Sequence, residues 1–462
     1  MRKLIYSCLL MLFYFHSFAQ WNSDPSLNNA ISAATSSQIN PQIVSNGAGG
    51  AVIVWQDNRS GNNDIYAQQI DVNGLVQWTS NGAPVCTATG GQSGPRVIQA
   101  STGSYIITWM DSRNGNNDIF AQMINASGVL QWAGDVAICT SIADQTSPQI
   151  ISDENGGAII VWQDARDGAT DIYAQRVDAA GNALWDANGI PVCNATDVQY
   201  AVQIISDGNG GAIAAWADNR SGNNNDIYTQ KINADGTSAW TTNGVQVAGT
   251  SAIEYLPQLT SDGMNGAIIT WSRATDQTDA DIYAQYINSA GQPQWAINGI
   301  VVCNAANNQL NPRIVTGLNS VFIVWEDSRS GLDGDADFQY DSDIYAQKID
   351  FAGMAEWAAN GIIICNELLD QITPELKTDA TNSGFFVTWS DARTGAANDI
   401  YAQHVSADGN GLLTGNGAIV SSAANIQTLP QLALSEDNAI ITWQDMRPDS
   451  QNLIYMLRAL MH

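Results

Sequence analysis

Residues 41–86 read PQIVSNGAGGAVIVWQDNRSGNNDIYAQQIDVNGLVQWTSNGAPVC, and residues 148–193 read PQIISDENGGAIIVWQDARDGATDIYAQRVDAAGNALWDANGIPVC. The same pattern returns along the chain. Its first tryptophan falls at Trp55, Trp109, Trp162, Trp216, Trp271, Trp325, Trp389 and Trp443. The intervals are 53 to 55 residues, apart from one of 64. Such a fixed period indicates a repeat protein of eight units.

Each unit contains four short apolar runs that are typical of β-strands. In the first unit they begin Pro-Gln-Ile-Val, Gly-Ala-Val-Ile-Val-Trp, Asp-Ile-Tyr-Ala-Gln, and at the second tryptophan. Asn-Gly, Asp-Gly and Gly-Gly pairs separate the runs, as β-hairpins require. Four antiparallel strands per unit of this length are typical of a propeller blade. We therefore expect an all-β fold, an eight-bladed β-propeller of four-stranded antiparallel blades.

The chain ends are out of phase with the repeats. The eighth unit stops before its second tryptophan, whereas Trp21 and the residues after it repeat the pattern that follows Trp78. Residues 21–35 are therefore predicted to supply the fourth strand of a blade whose first three strands are residues 430–458. An N-terminal strand that joins the C-terminal blade closes the ring and removes two unpaired sheet edges.

The N-terminus is typical of a cleaved secretory signal. A basic start, an apolar run over residues 4–15 and small residues up to Ala19 have the expected order. We predict a signal peptide over residues 1–19 and one eight-bladed domain over residues 20–462. The protein is then secreted, extracellular or bound to the cell surface.

The charge of the chain limits its partners. The formal net charge is −28 at pH 7, which repels nucleic acid and anionic membrane surfaces. Cations, neutral glycans and basic protein surfaces remain as ligands. We expect no nucleic acid, no membrane span and a monomer.

The cysteines outside the predicted signal share one repeat position. They are Cys86, Cys139, Cys193, Cys303 and Cys365. Equivalent positions on different blades are too far apart for a disulfide. Since other units place Ser or Ala there, we predict small, buried sites with free thiols.

The most regular motif is Trp-x-Asp-x-Arg-x-Gly followed by Asp-Ile-Tyr-Ala-Gln, first represented by Asp57, Arg59 and Asp64. In unit five the first Asp is replaced by Arg273, whereas the later Asp281 is kept. A positive charge moved along one strand face still reaches the later carboxylate. This pattern favours a structural ion pair between the Arg and the later Asp over a ligand site.

The same motif resembles the WD-like propeller repeat of TolB-type proteins over about twenty residues of each unit. The chain as a whole resembles secreted propeller-repeat proteins of Gram-negative bacteria. The resemblance implies a propeller that serves as an interaction surface. The longer units and the second tryptophan depart from the TolB pattern, so its partner does not carry over.

Functional residues are expected where the repeats differ, and one first-strand position, which follows a proline in seven units and Val202 in unit four, differs in charge. Its residues are Gln42, Arg96, Gln149, Gln203, Gln258, Arg313, Glu375 and Gln431. If the first strands line the central channel, these side chains form a polar ring that binds a ligand. The alternative is a solvated channel lining without a ligand.

Unit six carries an acidic insertion. Its carboxylates are Asp333, Asp335, Asp337, Asp341 and Asp343. Oxygen ligands on a loop suit Ca²⁺, and we consider the first four as ligands. The match to an EF-hand loop is partial, because Phe338 and Ile344 stand where that loop needs Gly and Glu. The alternative is a solvated acidic loop, and no other cofactor is expected.

These observations favour a non-catalytic binding or interaction scaffold, with no catalytic residues. A multivalent lectin-like propeller is the first alternative, and a sialidase-like glycoside hydrolase is the second. The sialidase chemistry needs three convergent arginines and a tyrosine nucleophile, and most arginines here are repeat residues. His16, His404 and His462 are the only histidines, which argues against a catalytic histidine.

Overall fold

The structure is a computed structural model that describes residue 21 and residues 24–222, 224–275, 279–331, 341–395, 397–435, 438–446 and 452–459. Within these ranges the fold is all-β and contains no helix. The strands form eight sheets of four antiparallel strands, arranged as the blades of a β-propeller. The predicted fold class is confirmed.

Each blade has the same four strand positions. The first strands are β2 (Gln38–Ser45), β6 (Gln92–Ser101), β10 (Gln145–Ser152), β14 (Gln199–Ser206), β18 (Ile253–Ser261), β22 (Gln309–Thr316), β26 (Gln371–Thr378) and β30 (Gln427–Ser435). The second strands are β3 (Ala51–Asp57), β7 (Ser104–Asp111), β11 (Ala158–Asp164), β15 (Ala212–Asp218), β19 (Ala267–Ala274), β23 (Ser320–Asp327), β27 (Phe385–Asp391) and β31 (Asn438–Asp445). The third strands are β4 (Asp64–Ile70), β8 (Asp118–Asn125), β12 (Asp171–Val177), β16 (Asp226–Ile232), β20 (Ala280–Ile287), β24 (Asp343–Asp350), β28 (Asp399–Val405) and β32 (Leu453–Ala459). The fourth strands are β5 (Ala83–Cys86), β9 (Val136–Cys139), β13 (Ile190–Cys193), β17 (Val245–Ala248), β21 (Ile300–Cys303), β25 (Ile362–Cys365), β29 (Ala418–Ser421) and β1 (Asn29–Ser32).

The N-terminal strand completes the last blade. The sheet order there is β1-β32-β31-β30, and Asn29 of β1 lies opposite Met456 of β32 in an antiparallel pair. The ring is thus closed by β-strand hydrogen bonds between the two ends of the chain, as the sequence predicted. This arrangement leaves blade 8 with the same four strands as its neighbours.

The first strands surround the central channel, since each contacts the first strands of both neighbouring blades. Every first strand has a register shift near its start, between Ile39 and Gln42 in β2. Asn40 within this bulge has a φ of 54°. Pro41 follows it and has no N–H to donate to the ladder. Because a bulge re-aims the side chains next to it, it sets the direction of the residue after the proline.

Two tryptophans in each of seven blades, and one in blade 7, connect neighbouring blades. The first, such as Trp55, is fully buried in every blade. The second bonds to the blade that follows: Trp78 Nε1 donates to the Ala126 carbonyl at 2.9 Å. Its ring lies against Gly128, whose φ is +74° and whose site leaves no room for a Cβ. Trp21 makes the same bond from the closing strand to blade 1, donating to Val72 O at 2.8 Å.

The cysteines lie in these interfaces between blades. All five are free and buried. Burial raises the pKa of Cys86 to about 12, so the thiol stays protonated at neutral pH. Its sulfur lies 3.1 Å from Arg113 Nη2 of the next blade.

In the described part of the chain, no helix is long and apolar enough to cross a membrane.

Candidate functional site

The polar residues of the channel meet in one cavity. It has a volume of about 350 Å³. Its lining residues are Gln42, Arg96, Gln149, Gln203, Gln258, Arg313, Glu375 and Gln431. These are the eight first-strand residues that the sequence predicted to form a polar ring, so the structure brings the whole set together. Their role in binding a ligand stays a prediction.

Charge is distributed unevenly around this cavity. Arg313 and Glu375 on adjacent blades form an ion pair, with 3.1 Å between Nε and Oε1. Arg96 has no carboxylate at this distance in the described part of the chain and instead donates through Nε to Gln149 Oε1 at 3.3 Å. Burial lowers the pKa of Arg96, although the charge of Glu375 opposes the shift. The cavity therefore has an ion pair on one wall and a guanidinium bonded to a neutral amide on another.

The cavity continues toward one face of the ring. We call this the upper face; it carries the turns between second and third strands, such as residues 58–63, and the links between blades, such as residues 87–91. A second cavity of about 270 Å³ shares Arg96, Gln149 and Gln203 with the first. We refer to the two together as the channel mouth.

Glu326 is a residue of this region that the sequence reasoning missed. It follows the first tryptophan of blade 6 and is 7% exposed. Its Oε1 accepts a bond of 2.7 Å from the backbone N–H of Thr373 in blade 7. Its Oε2 accepts one of 2.8 Å from Asn311 Nδ2. Burial raises the pKa of Glu326, while these bonds and the nearby charge of Arg313 oppose the shift.

The equivalent residues explain the place of Glu326 in the fold. Gln163 of blade 3 accepts the same bond through Oε1 from the backbone N–H of Ala201 in blade 4, at 2.8 Å. Gln163 and its blade 2 counterpart Met110 both line the channel mouth. The position therefore secures the bulge of the next blade, and in blades 2 and 3 its residue also lines the channel mouth. A signal existed in the sequence, because this position holds an acid only in unit six.

A third cavity lies on the upper face at blades 4 and 5. It has a volume of about 400 Å³ and two tyrosines, Tyr200 and Tyr255, in its lining. Asn225 donates through Nδ2 to the Tyr200 hydroxyl at 2.6 Å. Tyr200 directly precedes Ala201, which lines the channel mouth. We refer to this cavity as the tyrosine pocket.

The repeated Asp and Arg residues form an ion pair that differs from the expected one. Arg59 Nε donates to Asp57 Oδ1 at 2.8 Å, and Asp64 instead accepts from Ser60 Oγ at 2.7 Å. The chain turns directly after Asp57, and the backbone N–H of Arg59 also bonds to Asp57 Oδ1 at 3.0 Å. This local turn brings the side chain back onto its own strand end, so the pairing with the later Asp was wrong.

The same Arg stacks on the repeated aromatic ring of the third strand. The guanidinium carbon of Arg59 lies 3.9 Å from the centre of the Tyr66 ring, and Trp55 donates through Nε1 to Asp57 Oδ2 at 2.8 Å. Each of these groups has a partner within its own blade. These contacts within one blade agree with a structural role for the motif, which stays a prediction.

Blade 5 preserves this arrangement with exchanged charges. Arg273 Nε pairs with Glu254 Oε1 at 3.0 Å, whereas the sequence predicted a pair with Asp281. The guanidinium still stacks on the third-strand ring, 3.6 Å from the centre of Tyr283. Glu254 stands where the other blades have Gln, and its side chain is fully buried. Compared with the other blades, Glu254 replaces a Gln and Arg273 replaces an Asp. The two replacements are coupled, because the new side chains pair with each other.

Of the four proposed calcium ligands, the structure describes only Asp341. Asp333, Asp335 and Asp337 lie outside the described residues, and Asp341 is buried. Within the part of the chain that the structure covers, no group of three His, Cys, Asp or Glu side chains is arranged to hold a metal. Calcium binding by the unit-six loop stays a prediction.

No protein-family model matches the chain, and no curated protein matches it. Among solved structures it is similar to an ulvan lyase of polysaccharide lyase family PL25 bound to -[GlcA(1-4)Rha3S]-, with 11% identity, a TM-score of 0.46, and coverage of 93% of this chain and 95% of that one. A second polysaccharide lyase has 8% identity, a TM-score of 0.49, and coverage of 91% and 99%. An α-L-arabinanase of Penicillium chrysogenum complexed with arabinobiose has 14% identity, a TM-score of 0.38, and coverage of 69% and 93%.

These similarities correct one expectation from the sequence. We expected a non-catalytic scaffold and no enzyme, whereas the similar propellers include polysaccharide lyases and glycoside hydrolases. The expectation relied on the lack of known catalytic motifs, and a propeller can hold catalytic groups without them. At identities of 8 to 14% the likeness extends to the fold alone, and it assigns no substrate or residue to this chain.

Proposed function

We propose that the chain is a carbohydrate-active enzyme whose substrate binds at the channel mouth. One observation carries this proposal: two carboxylates, Glu375 and Glu326, lie close to Arg313 at blades 6 and 7. Glu375 pairs with Arg313 inside the cavity, and Glu326 bonds to Asn311 and Thr373. Those two partners stand two residues before Arg313 and Glu375. The three charged side chains therefore form one cluster.

The remaining lining suits a sugar. Five of the eight cavity residues are glutamines. Each side-chain amide offers two donors and one acceptor, which complements hydroxyl groups that donate and accept at the same oxygen. A concave site with a few fixed polar groups is the usual form of a small-ligand site.

The two glutamates supply the chemistry that cleavage of a glycosidic bond requires. Such cleavage commonly uses one carboxylic acid that protonates the leaving oxygen and one carboxylate that attacks or activates water. Burial favours the protonated form of Glu326. In our proposal Glu326 gives its proton to the glycosidic oxygen, and Glu375 activates the water or attacks the anomeric carbon. Arg313 holds the Glu375 carboxylate in place.

The proposal is tested by depolymerisation and by Glu326→Gln. The purified chain is incubated with a panel of neutral and acidic polysaccharides that includes ulvan and arabinan, and new reducing ends and unsaturated products are measured. We expect the chain to release such products from at least one of these polysaccharides. Glu326→Gln should abolish release, because an amide gives no proton.

Blade 3 supplies the matched control. Gln163 already makes the bond to the next blade that Glu326 makes, so Glu326→Gln should keep the melting temperature of the parent. Gln444 of blade 8 accepts the equivalent bond from the Asn40 N–H and is not among the lining residues of either channel cavity, so the reverse change Gln444→Glu should keep activity. Binding of a polysaccharide without any product would contradict the enzymatic proposal, and full activity of Glu326→Gln would contradict the role of Glu326.

Two predictions from the sequence belong to the same proposal. An enzyme of external polysaccharides has to be exported, which the predicted signal peptide over residues 1–19 would achieve. Sequencing the mature N-terminus would then give Gln20. The TolB-type resemblance supports a surface that engages a large ligand, and it names no substrate.

A further inference from the structure

The tyrosine pocket is a second place where the repeats differ, and it is not part of the proposed cleavage site. Tyr200 and Tyr255 occupy the same repeat position in adjacent blades. In the other six blades this position holds Ile39, Ser93, Thr146, Leu310, Ile372 and Thr428. The packing of the ring therefore does not require an aromatic residue here. Two tyrosines side by side need another explanation.

The pocket combines ring faces, amide edges and exposed apolar groups. Asn225 and Asn308 contribute amides to its lining. Ile253 and Leu256 also line it and are 46% and 37% exposed. Large apolar side chains that gather around an aromatic cavity on a surface mark a binding site.

The lining also excludes several ligands. Among the described residues its lining contains no charged side chain, so these residues offer no counter-charge to a carboxylate, sulfate or phosphate. The net charge of the chain is −28, which disfavours such groups further. Burial raises the pKa of Tyr200 and of Tyr255, so both phenols stay neutral. The ligand group that fits is uncharged, has an apolar face and carries polar groups at its edge.

The position of the pocket connects it with the channel. Tyr200 and Gln203 lie on either side of the bulge in β14, opposite Ala217 and Ala215 of β15, which are two residues or about 7 Å apart along that strand. Ala201 and Val202, between them, line the channel mouth. An extended ligand that begins in the channel and follows β14 upward thus arrives at the tyrosines.

We infer that the tyrosine pocket is a subsite that binds a neutral sugar ring of a polysaccharide whose other end lies in the channel mouth. The apolar face of the ring lies on a tyrosine, and the hydroxyls at its edge bond to Asn225 and Asn308. This inference rests on the proposed function, because it makes the same ligand longer. Its consequence is a preference for chains of several sugars over short ones.

The test is a length series of neutral oligosaccharides, from disaccharides to hexasaccharides of arabinan, cellulose and starch, with binding measured by calorimetry. Tyr200→Ala and Tyr255→Ala should each raise the Kd of the bound hexasaccharide about tenfold, the usual scale for one aromatic contact. The Kd of the disaccharide should stay the same. Tyr255→Phe should bind like the parent, because the ring face is retained. The control Ile39→Ala changes the same repeat position in blade 1 and should leave both affinities unchanged.

Crystals soaked with the hexasaccharides separate this inference from the proposed function. Sugar density in both the channel mouth and the tyrosine pocket supports both. Density in the channel alone, with Tyr200→Ala and Tyr255→Ala unaffected, overturns the subsite and leaves the proposed function standing. Density in the pocket alone supports the sugar subsite and overturns the channel assignment. Binding of none of the sugars, or preferential binding of an apolar peptide in the pocket, overturns the subsite.

Discussion

By the outer part of the ring we mean the second and third strands with their repeated Trp, Asp, Arg and aromatic side chains, together with the second tryptophan. This part and the channel mouth are built from the same eight repeats, yet the repeats vary much less in the outer part. In the outer part, blades 1–4, 6 and 7 share one arrangement of Trp, Asp, Arg and aromatic ring, and in blade 5 Arg273 keeps the contact with the ring while it pairs with Glu254. At the mouth, equivalent positions hold Gln, Arg or Glu. Packing between blades imposes the same demand everywhere, whereas the channel lining has little packing to satisfy. Changes in the outer part should therefore alter stability, and changes at the mouth should alter ligand chemistry.

The largest effect is expected from removing the closing strand. Deleting residues 20–37 takes away β1 and exposes the edge of β32. An unpaired edge invites association with other chains. We expect the shortened chain to lose its cooperative unfolding transition and to aggregate, as measured by calorimetry and light scattering.

A circular permutant serves as the control for this deletion. In it, residues 20–37 are attached after residue 462 through a Gly-Ser linker, so blade 8 receives the same strand by another connection. It should unfold like the parent. A monomeric deletion variant with unchanged heat resistance would contradict closure by β1.

The next effect concerns the exchanged pair of blade 5. Arg273→Ala leaves the fully buried carboxylate of Glu254 without its cation, which typically costs about 3–5 kcal/mol. We expect the free energy of unfolding to fall by this amount in denaturant titrations. Restoring the arrangement of the other blades with Glu254→Gln, Arg273→Asp and Thr275→Arg together should recover most of it. A triple variant as unstable as Arg273→Ala would show that the charges were not exchanged as a unit.

The outer tryptophans should give a smaller loss. Trp78→Ala removes a ring that is 9% exposed and its bond to Ala126. We expect a loss of about 3 kcal/mol in the free energy of unfolding. Trp78→Phe keeps the contact with Gly128 and loses only the N–H, so it should lose less. Equal losses for the two variants would mean that the bond, and not the packing, connects the blades.

The aspartates at the start of the third strands make the stability of the folded chain depend on pH. Burial raises the pKa to about 6 for Asp171, Asp281, Asp343 and Asp399, above the unfolded value of 3.8. Between about pH 4 and pH 6 the folded chain therefore binds more protons than the unfolded chain, and its stability falls as the pH rises. We expect the melting temperature to be several degrees higher near pH 4.5 than near pH 7.

A single substitution tests the origin of this dependence. Asp171→Asn removes one titrating group, so it should raise the melting temperature near pH 7 and flatten the pH profile. Asp111 acts in the other direction. Although burial opposes the shift, bonds from Arg113 and Trp109 lower its pKa, so its contribution is lost only at more acidic pH. A melting temperature that rises steadily from pH 4 to pH 7 would contradict the assignment.

The sequence predicted the blades and the channel ring because both follow from repetition. The position of Gln42 after Pro41 recurs eight times, so one argument about first strands located all of its equivalents. The pairing of Arg59 was predicted wrongly, because Asp57 and Asp64 both lie within reach of an extended Arg. Only the turn after Asp57 decides between them, and its dihedral angles are not encoded in residue spacing.

Glu326 and the tyrosine pocket were not predicted for a different physical reason. Both depend on contacts between blades. Glu326 is recognised once the bulge of blade 7 directs the Thr373 N–H toward it. Tyr200 and Tyr255 form a pocket once adjacent blades bring them together. The two residues are 47 positions apart in the first case and 55 in the second, and they meet only through the curvature of the ring, which a repeat pattern alone does not specify.

Replacing the ion pair of the channel, Arg313 and Glu375, is expected to change stability least and activity most. Arg313→Gln with Glu375→Gln places at both positions the residue that five other blades carry, so the backbone is known to accept it. The pair is 29% and 28% exposed, and partly exposed pairs contribute less than about 1 kcal/mol. We expect an unchanged melting temperature and no release of sugar. A stable variant that remains fully active would mean that the variation at the mouth is neutral, and the contrast between the two regions would then have no functional content.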